Sequence, residues 1–548
     1  MAVGILFALL AVLPAGIYLV VRKLETKLPD LGLLLVGTVS VLLVAIYFFH
    51  VSFYIALPAD IAIWSESDFV NDILKFRAGY PIFTAHVNNE SFPYTPGSQI
   101  FTYFLSWLAG HPLSVPAYRL TQVFYTVITT IVAFSCWRRL VGIVDADAAK
   151  MDSRLWSIVS FSVLFLIATN SVTNPFSHLL HNDSLAQLYT VTMFWMVLEY
   201  EATRKWWILL LLVLAPALGF WVKQSLLIWA GVFGIYFLVF DRPRSFAKIA
   251  GFGLGSLVAI VITVFVGYAL WQDNFVYWIF TVLAKHEVSP LRSVRHLLIV
   301  WPYFLIGLLG GGALMQFTGG RRLLGPWLIW LFVISAETYT SGIAWMTNHI
   351  GPGSLIAGVF FLAAATACLR RSGAPTIRSA RFEQWLGAAT CVAAACLLFS
   401  GLGLVRIPSA PFSEDDGRRY VGEIEREFTG QPIDRVLLDF GTWVYQPSGT
   451  VMKDRAASIG ERGYSQTGDF SGILKRLNER YYTKILIRNF HSGNFWYDHE
   501  FWSRSSTIRN SLQENYREVG QIKSVSGIAP SDMPYGFSEI SILIPRDY

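Results

Sequence analysis

Apolar stretches of roughly 15 to 25 residues recur along this chain from residue 2 to residue 405, and about 20 apolar residues in a helix cross a bilayer. They are 2–21, 31–55, 117–137, 155–171, 185–200, 206–221, 226–240, 249–270, 297–317, 324–339, 355–369 and 385–405. Such a pattern confines the chain to a polytopic α-helical membrane protein of about twelve transmembrane helices. The first run lacks a basic segment before it, and Arg22 and Lys23 follow it instead; it reads as a retained helix and not as a signal peptide. Cys136, Cys368, Cys391 and Cys396 all lie in or at the ends of apolar runs, so no disulfide framework or zinc cluster is indicated.

A formal net charge of +6 would invite a nucleic-acid reading in a soluble protein. In this chain the basic residues set topology instead. Arg22/Lys23/Lys27, Arg138/Arg139/Lys150/Arg154, Arg204/Lys205, Arg242/Arg244/Lys248, Arg321/Arg322 and Arg370/Arg371/Arg378/Arg381 fall in alternate connections, as cytoplasmic loops do. The segments 56–116, 172–184, 271–296 and 340–354 then face outward, as does everything after residue 405. Both termini are expected to be extracytoplasmic, in a multi-pass protein of the inner or plasma membrane. The apolar run 100–108 is too short to span and is expected to lie at the membrane surface.

The composition shifts at 406–416, where Pro408 and Pro411 precede a charged run. Residues 1–405 are expected to form the membrane domain and 406–548 a soluble α/β domain outside the membrane. In the latter, 436–440 and 484–487 read as buried strands, and 472–481 and 507–516 carry helical spacing.

The outer loops hold the residues that could do chemistry. The first contains Glu66 and Asp68 in Trp64-Ser65-Glu66-Ser67-Asp68, then Gly79-Tyr80-Pro81-Ile82-Phe83 and Tyr94-Thr95-Pro96. A carboxylate at a membrane face can act as a general base or hold a cation through oxygen; a solvated loop acid is the plain alternative. Asp183 opens the helix after the second outer loop, where it would also serve as a cap, with His181 beside it. Lys223 sits between two short spans and either snorkels to the headgroups or meets an anion. His286, Arg292 and Arg295 form a cationic cluster on the side otherwise poor in positive charge, and phosphate binding would give a reason for it. Asn348 and His349 precede Gly351-Pro352-Gly353 and form a weaker patch.

In their order along the chain, these features resemble the GT-C class of integral membrane glycosyltransferases, which includes protein O-mannosyltransferases and the aminoarabinose transferases of lipid A. The likeness rests on Ser65-Glu66-Ser67-Asp68, the Gly-x-Pro-Ile-Phe turn at 79–83, Tyr94-Thr95-Pro96, Asn182-Asp183-Ser184-Leu185, Lys223-Gln224-Ser225 and the late Asn348-His349 before Pro352-Gly353. It implies inverting transfer of a sugar from a polyprenyl-phosphate or polyprenyl-diphosphate carrier to a glycan, lipid or protein acceptor at the outer face. Glu66, Asp68 and Asp183 would be catalytic, with Lys223, Arg292, Arg295, His286 and His181 on the donor. Tyr94, Pro96, Asn348 and His349 would line the acceptor or lipid cavity. The adjacent Asp-Glu pair usual in the class is Glu66-x-Asp68 here, which leaves two candidates for the base. No cofactor is fixed by the sequence, although oxygen ligands of this kind would suit a divalent cation, Mg or Mn. Membrane lipids are expected partners and nucleic acid is not. A polysaccharide polymerase or ligase shares these substrates. A lipid-linked sugar transporter or flippase would instead place its ionisable groups near the midplane, commonly with internal repeats.

Overall fold

The computed structural model describes residues 31–371 and 407–546, apart from 64, 145–153, 318, 344–346, 408–413, 439, 465–466, 489, 491–505, 524 and 526–538. The apolar runs 2–21 and 385–405 lie outside the described residues, as do Cys391 and Cys396. All ten remaining runs are helical. In chain order the helices of this part are α1 (Leu31–Ala56), α2 (Glu66–Arg77), α3 (Gly97–Leu108), α4 (Val115–Val144), α5 (Arg154–Ala168), α6 (Asp183–Thr203), α7 (Trp206–Val222), α8 (Ile228–Val239), α9 (Phe246–Val276), α10 (Pro290–Leu314), α11 (Leu324–Thr340) and α12 (Gly351–Arg371).

Six segments among the described residues are long and apolar enough to cross a membrane: Gly37–Ala56, Val115–Val144, Phe246–Ala284, Pro290–Leu314, Gly320–Thr340 and Asn348–Cys368. The chain is a multi-pass membrane protein. Of the twelve expected runs two lie outside the described residues, and the others not among these six are shorter or carry charge within their described residues. Helix α5 has 15 residues, about 22 Å of rise against a hydrocarbon core of about 30 Å. Helices α7 and α8 are similarly short, and α6 carries Glu199 and Glu201 near its end.

Helix α12 is the centre of the bundle. Its alanines, Ala357, Ala363, Ala364, Ala365 and Ala367, are buried, and they let neighbouring backbones approach closely, as small residues do in membrane packing. Thr366 accepts from the indoles of Trp137 (3.0 Å) and Trp156 (2.9 Å), which ties α4 and α5 to it. Helix α9 is the opposite case: Leu254, Leu257, Val261, Ile262 and Phe265 are exposed, which is stable only against lipid. Helix α3 keeps Ser98, Gln99, Thr102 and Ser106 inside and exposes Phe101, Phe104, Trp107 and Leu108. That reversed amphipathicity suits a helix lying in the membrane interface. A Cβ at Gly97 would come 2.5 Å from the Trp221 carbonyl, so glycine lets the start of α3 press on the end of α7.

After residue 413 come α13 (Glu414–Phe428), α14 (Ala456–Tyr464), α15 (Ser471–Asn478) and α16 (Ser506–Asn515), with strands β1 (Val436–Leu438), β2 (Lys484–Arg488), β3 (Tyr516–Ile522) and β4 (Ile540–Pro545). The sheet order is β1-β2-β4-β3. Strands β1 and β2 are parallel, with Leu437 opposite Ile485, and the other pairs are antiparallel. Both strands expected from the residue pattern are there, as are both helices, one ending three residues and the other one residue before its expected C-terminus.

The core beneath this sheet does not stop at the composition boundary. Leu437, Ile485, Leu486 and Tyr445 belong to one apolar cluster with Phe69, Ile73, Phe92, Tyr118 and Leu180 of the first part. Polar contacts reinforce the joint. The Asp60 carboxylate accepts from the backbone N–H groups of Thr442 (2.9 Å) and Trp443 (3.1 Å), and the Thr442 hydroxyl donates to the Ser67 carbonyl at 2.8 Å.

Candidate active site

The loop after α1 is built on α2, whose residues from Glu66 to Lys75 are all buried despite four charged side chains. Burying a charge is tolerable only where it is paired, so each partner identifies what the charge is for. For Glu66 the partner is Arg119 of α4, which donates from Nε (2.7 Å) and Nη2 (2.6 Å) to its two oxygens. The rest of the guanidinium bonds the carbonyls of Tyr54, Leu57 and Ala59, and the Leu180 N–H donates to Glu66 at 3.1 Å. Glu66 is thus the centre of a clip joining the end of α1, the loops that hold Ala59 and Leu180, and α4.

Asp68 is held differently. It is 3% exposed, its Oδ2 has no hydrogen-bond partner among the described residues, and its Oδ1 lies 3.7 Å from Arg455 Nε. Burial pushes its carboxyl up to about 6, against the pull of Arg455 and Lys75. One turn on, burial also raises Asp72, to about 7, with Lys75 pulling it down and Asp68 pushing it further up. Lys75 donates to the carbonyls of Ile82 (2.9 Å) and Glu90, which folds the chain back at Gly79, where φ is +66°.

The loop before α6 brings Asp183 to a cluster of its own. It accepts from Lys223 and Asn348 side chains, and His181 Nδ1 is 3.2 Å away. The His181 ring stacks on Phe176 at 4.0 Å and is flanked by Phe69 and Tyr94; burial lowers its basicity. His349 is close enough to feel Lys223, Asp183 and His181. Tyr94 bridges the two clusters: burial pushes its phenol well up, and the charges of both Glu461 and Asp183 add to the effect. Pro96 is the residue before α3, and Thr95 donates to the Phe220 carbonyl at 2.6 Å. The Tyr-x-Pro motif is therefore a joint between these clusters, the end of α7 and the start of α3.

The residues expected to bind a donor are divided among several partners. Lys223 and His181 stand at Asp183. His286 faces Glu461 at 3.1 Å. Arg292 donates to the carbonyls of Gly342 (3.1 Å) and Ile343 (3.0 Å), so it also braces a loop, while Arg295 is exposed. Among the described residues no group of three or more His, Cys, Asp or Glu is arranged to hold a metal ion.

Sequence reasoning missed Arg119, Arg455, Glu461 and Asp72. Arg119 had a signal, since an arginine at the start of an apolar span needs a buried partner. Arg455 and Glu461 had none, because nothing in their local pattern tells that their segment folds back onto the first loop.

No family model and no curated protein matches this chain in sequence. Among solved structures it is similar to the archaeal oligosaccharyltransferase AglB from Archaeoglobus fulgidus in complex with an inhibitory peptide and a dolichol-phosphate, at 10% identity over 95% of this chain and 77% of that one, with a TM-score of 0.45. ArnT from Cupriavidus metallidurans bound to undecaprenyl phosphate gives 14% identity, 92% and 97% coverage and a TM-score of 0.46. The arabinofuranosyltransferase AftD from Mycobacteria gives 14%, 94% and 42%, and 0.47.

Proposed function

We propose that this chain is an inverting glycosyltransferase that moves a sugar from a polyprenyl-phosphate or polyprenyl-diphosphate carrier to an acceptor hydroxyl or amide at the outer membrane face, with Asp68 as its general base. The observation that carries this reading is the state of Asp68: a buried carboxylate with one uncommitted oxygen and near-neutral proton affinity. A base works best when its affinity for protons lies near the working pH. In the proposed step Asp68 takes the acceptor's proton as the acceptor atom bonds the anomeric carbon. The bond from that carbon to the carrier's phosphate oxygen breaks on the opposite side, and the carrier phosphate leaves with the electron pair. Helix α3 gives the carrier chain a membrane-surface approach. The test is release of polyprenyl phosphate from a sugar-loaded carrier by the purified chain in lipid nanodiscs; no release across a panel of sugars and acceptors would contradict the reading.

The departing phosphate needs cations. The Lys223 ammonium has three N–H groups, and Asp183 takes one of them. Losing a charge-assisted contact costs about 1.5 to 3 kcal/mol, or about 10- to 150-fold in affinity. Donor titrations on Lys223→Met should show a loss of that size with little change in acceptor use. Asp183 is not the cap expected from its place in the sequence: Asn182 holds the cap position, no side chain caps the helix, and the Asp183 carboxylate is taken by Lys223 and Asn348. Asp183→Asn should be nearly as damaging to transfer, because an amide cannot balance the Lys223 charge; full activity of Asp183→Asn would remove Asp183 from the reaction.

Residues 1–405 are proposed as the membrane domain and 406–548 as a region outside the cell membrane, with both termini on that side. Ser471 is exposed at the start of α15. An engineered cysteine there should react with a membrane-impermeant reagent in spheroplasts, whereas one at 242–248 should not. The reverse pattern would overturn the topology.

A further inference from the structure

We propose that Arg455, carried in by the region after the membrane helices, is a positioning residue of the Asp68 pocket: its guanidinium fixes the Asp68 carboxylate in place as the anion that the proposed reaction needs. The proposal rests on the reading of Asp68 as the base.

Two buried arginines serve the first loop, and the contrast between them carries the argument. Arg119 fills its fork, with five donated bonds to Glu66 and three carbonyls. A guanidinium buried to hold a fold together looks like this, since each unsatisfied buried donor carries a desolvation cost. Arg455 is 1% exposed and commits only Nη1, to the Gly441 carbonyl at 3.0 Å; Nε and Nη2 have no hydrogen-bond partner among the described residues. Its charge is therefore spent on the carboxylates around it, Asp68 first at 3.7 Å.

The backbone delivers the side chain with little freedom. The N–H groups of Asp454 and Arg455 donate to the carbonyls of Asn88 (3.1 Å) and Asn89 (2.8 Å). The Asp454 carboxylate takes bonds from Asn89, Arg476 and Tyr482. That anchoring covers Arg455 and the residue before it, so the segment reads as a mount for the guanidinium.

The charged groups facing Asp68 are Asp72 and Lys75 from α2, Glu461 from α14, and Arg455. Burial and the like charges of Glu461 and Asp72 favour the protonated acid; Lys75 and Arg455, whose charge also faces Asp60, favour the anion. Removing the arginine charge therefore raises the pH at which Asp68 ionises.

The experiment is an infrared titration of the full-length protein in nanodiscs, following the protonated-carboxyl band that Asp68→Asn removes. In Arg455→Gln its midpoint should move up by about one pH unit or more, as loss of an adjacent opposite charge does. In Arg455→Lys, which keeps the charge, it should stay near the wild-type value. An unmoved midpoint in folded Arg455→Gln overturns the proposal, as does a lysine variant displaced as far as the glutamine one. Arg455→Met is the second neutral variant if glutamine does not fold. The titration needs no substrate, so it stands apart from the reading it rests on: that reading fails if Asp68→Asn retains transfer activity, whatever the midpoint does.

Discussion

Asp68→Asn is expected to lower sugar transfer by about 100- to 10,000-fold, the range a positioned base contributes, while the protein folds and binds donor as before. Folding should survive because two other carboxylates, Asp60 and Asp72, still face the Arg455 charge when Asp68 is neutral. The Asp68 Oδ2 is unbonded among the described residues and its Oδ1 is 3.7 Å from Arg455. The pH profile gives a second handle. Burial holds the Asp68 carboxyl at about 6, and the base must be ionised to act. Activity is then present above that value and is lost as pH falls through it. Single-turnover rates with excess enzyme, on wild type and Asp68→Asn, measure both effects. Near-normal rates in the variant would make Asp68 a bystander.

Glu66→Gln should fail for a different reason. The two acids are two residues apart, yet Glu66 is bonded on both oxygens and is 0% exposed, as is Arg119. Replacing the carboxylate by an amide leaves a buried guanidinium facing a neutral group. Breaking such a pair from one side costs about 3 to 5 kcal/mol, a large share of the roughly 5 to 15 kcal/mol that keeps an ordinary domain folded. Thermal unfolding in detergent should show the loss directly. Whatever folded fraction remains should turn over at a rate much closer to wild type than Asp68→Asn does. A stable but inactive Glu66→Gln would return Glu66 to the role of base.

The two acids also show how far the sequence could be read. The motif Ser65-Glu66-Ser67-Asp68 was visible as a candidate, because acids beside apolar helices are costly and need a reason. Which acid does the chemistry was not visible, because the answer lies in their partners. Arg119 is 53 positions from Glu66, and Arg455 comes from the far end of the chain. The helices were legible wherever apolar length alone decides them, as in α1, α4 and α12. Apolar length alone does not decide the crossings of the shorter apolar helices α5, α7 and α8. The small sheet was foreseen from Val436-Leu437-Leu438 and Lys484-Ile485-Leu486-Ile487. That its core runs on into Phe69, Ile73 and Phe92 could not be, since a composition shift at 406–416 looks the same whether or not the parts share a core.

The donor cations show the same limit. Lys223, His286 and Arg292 were grouped by sidedness, and sidedness is what positive charge in the chain reports. Their immediate partners are Asp183, Glu461 and two loop carbonyls. Only tertiary contacts sort a cation that meets substrate from one that braces a loop.

A density map of the protein with a sugar-loaded polyprenyl-phosphate carrier bound tests the central claim most directly. The account predicts the sugar between Asp68 and the Asp183–Lys223 pair, the phosphate against Lys223, and the carrier chain leaving along the apolar face of α3. A headgroup bound away from Asp68, or at the opposite end of the helices, would contradict it.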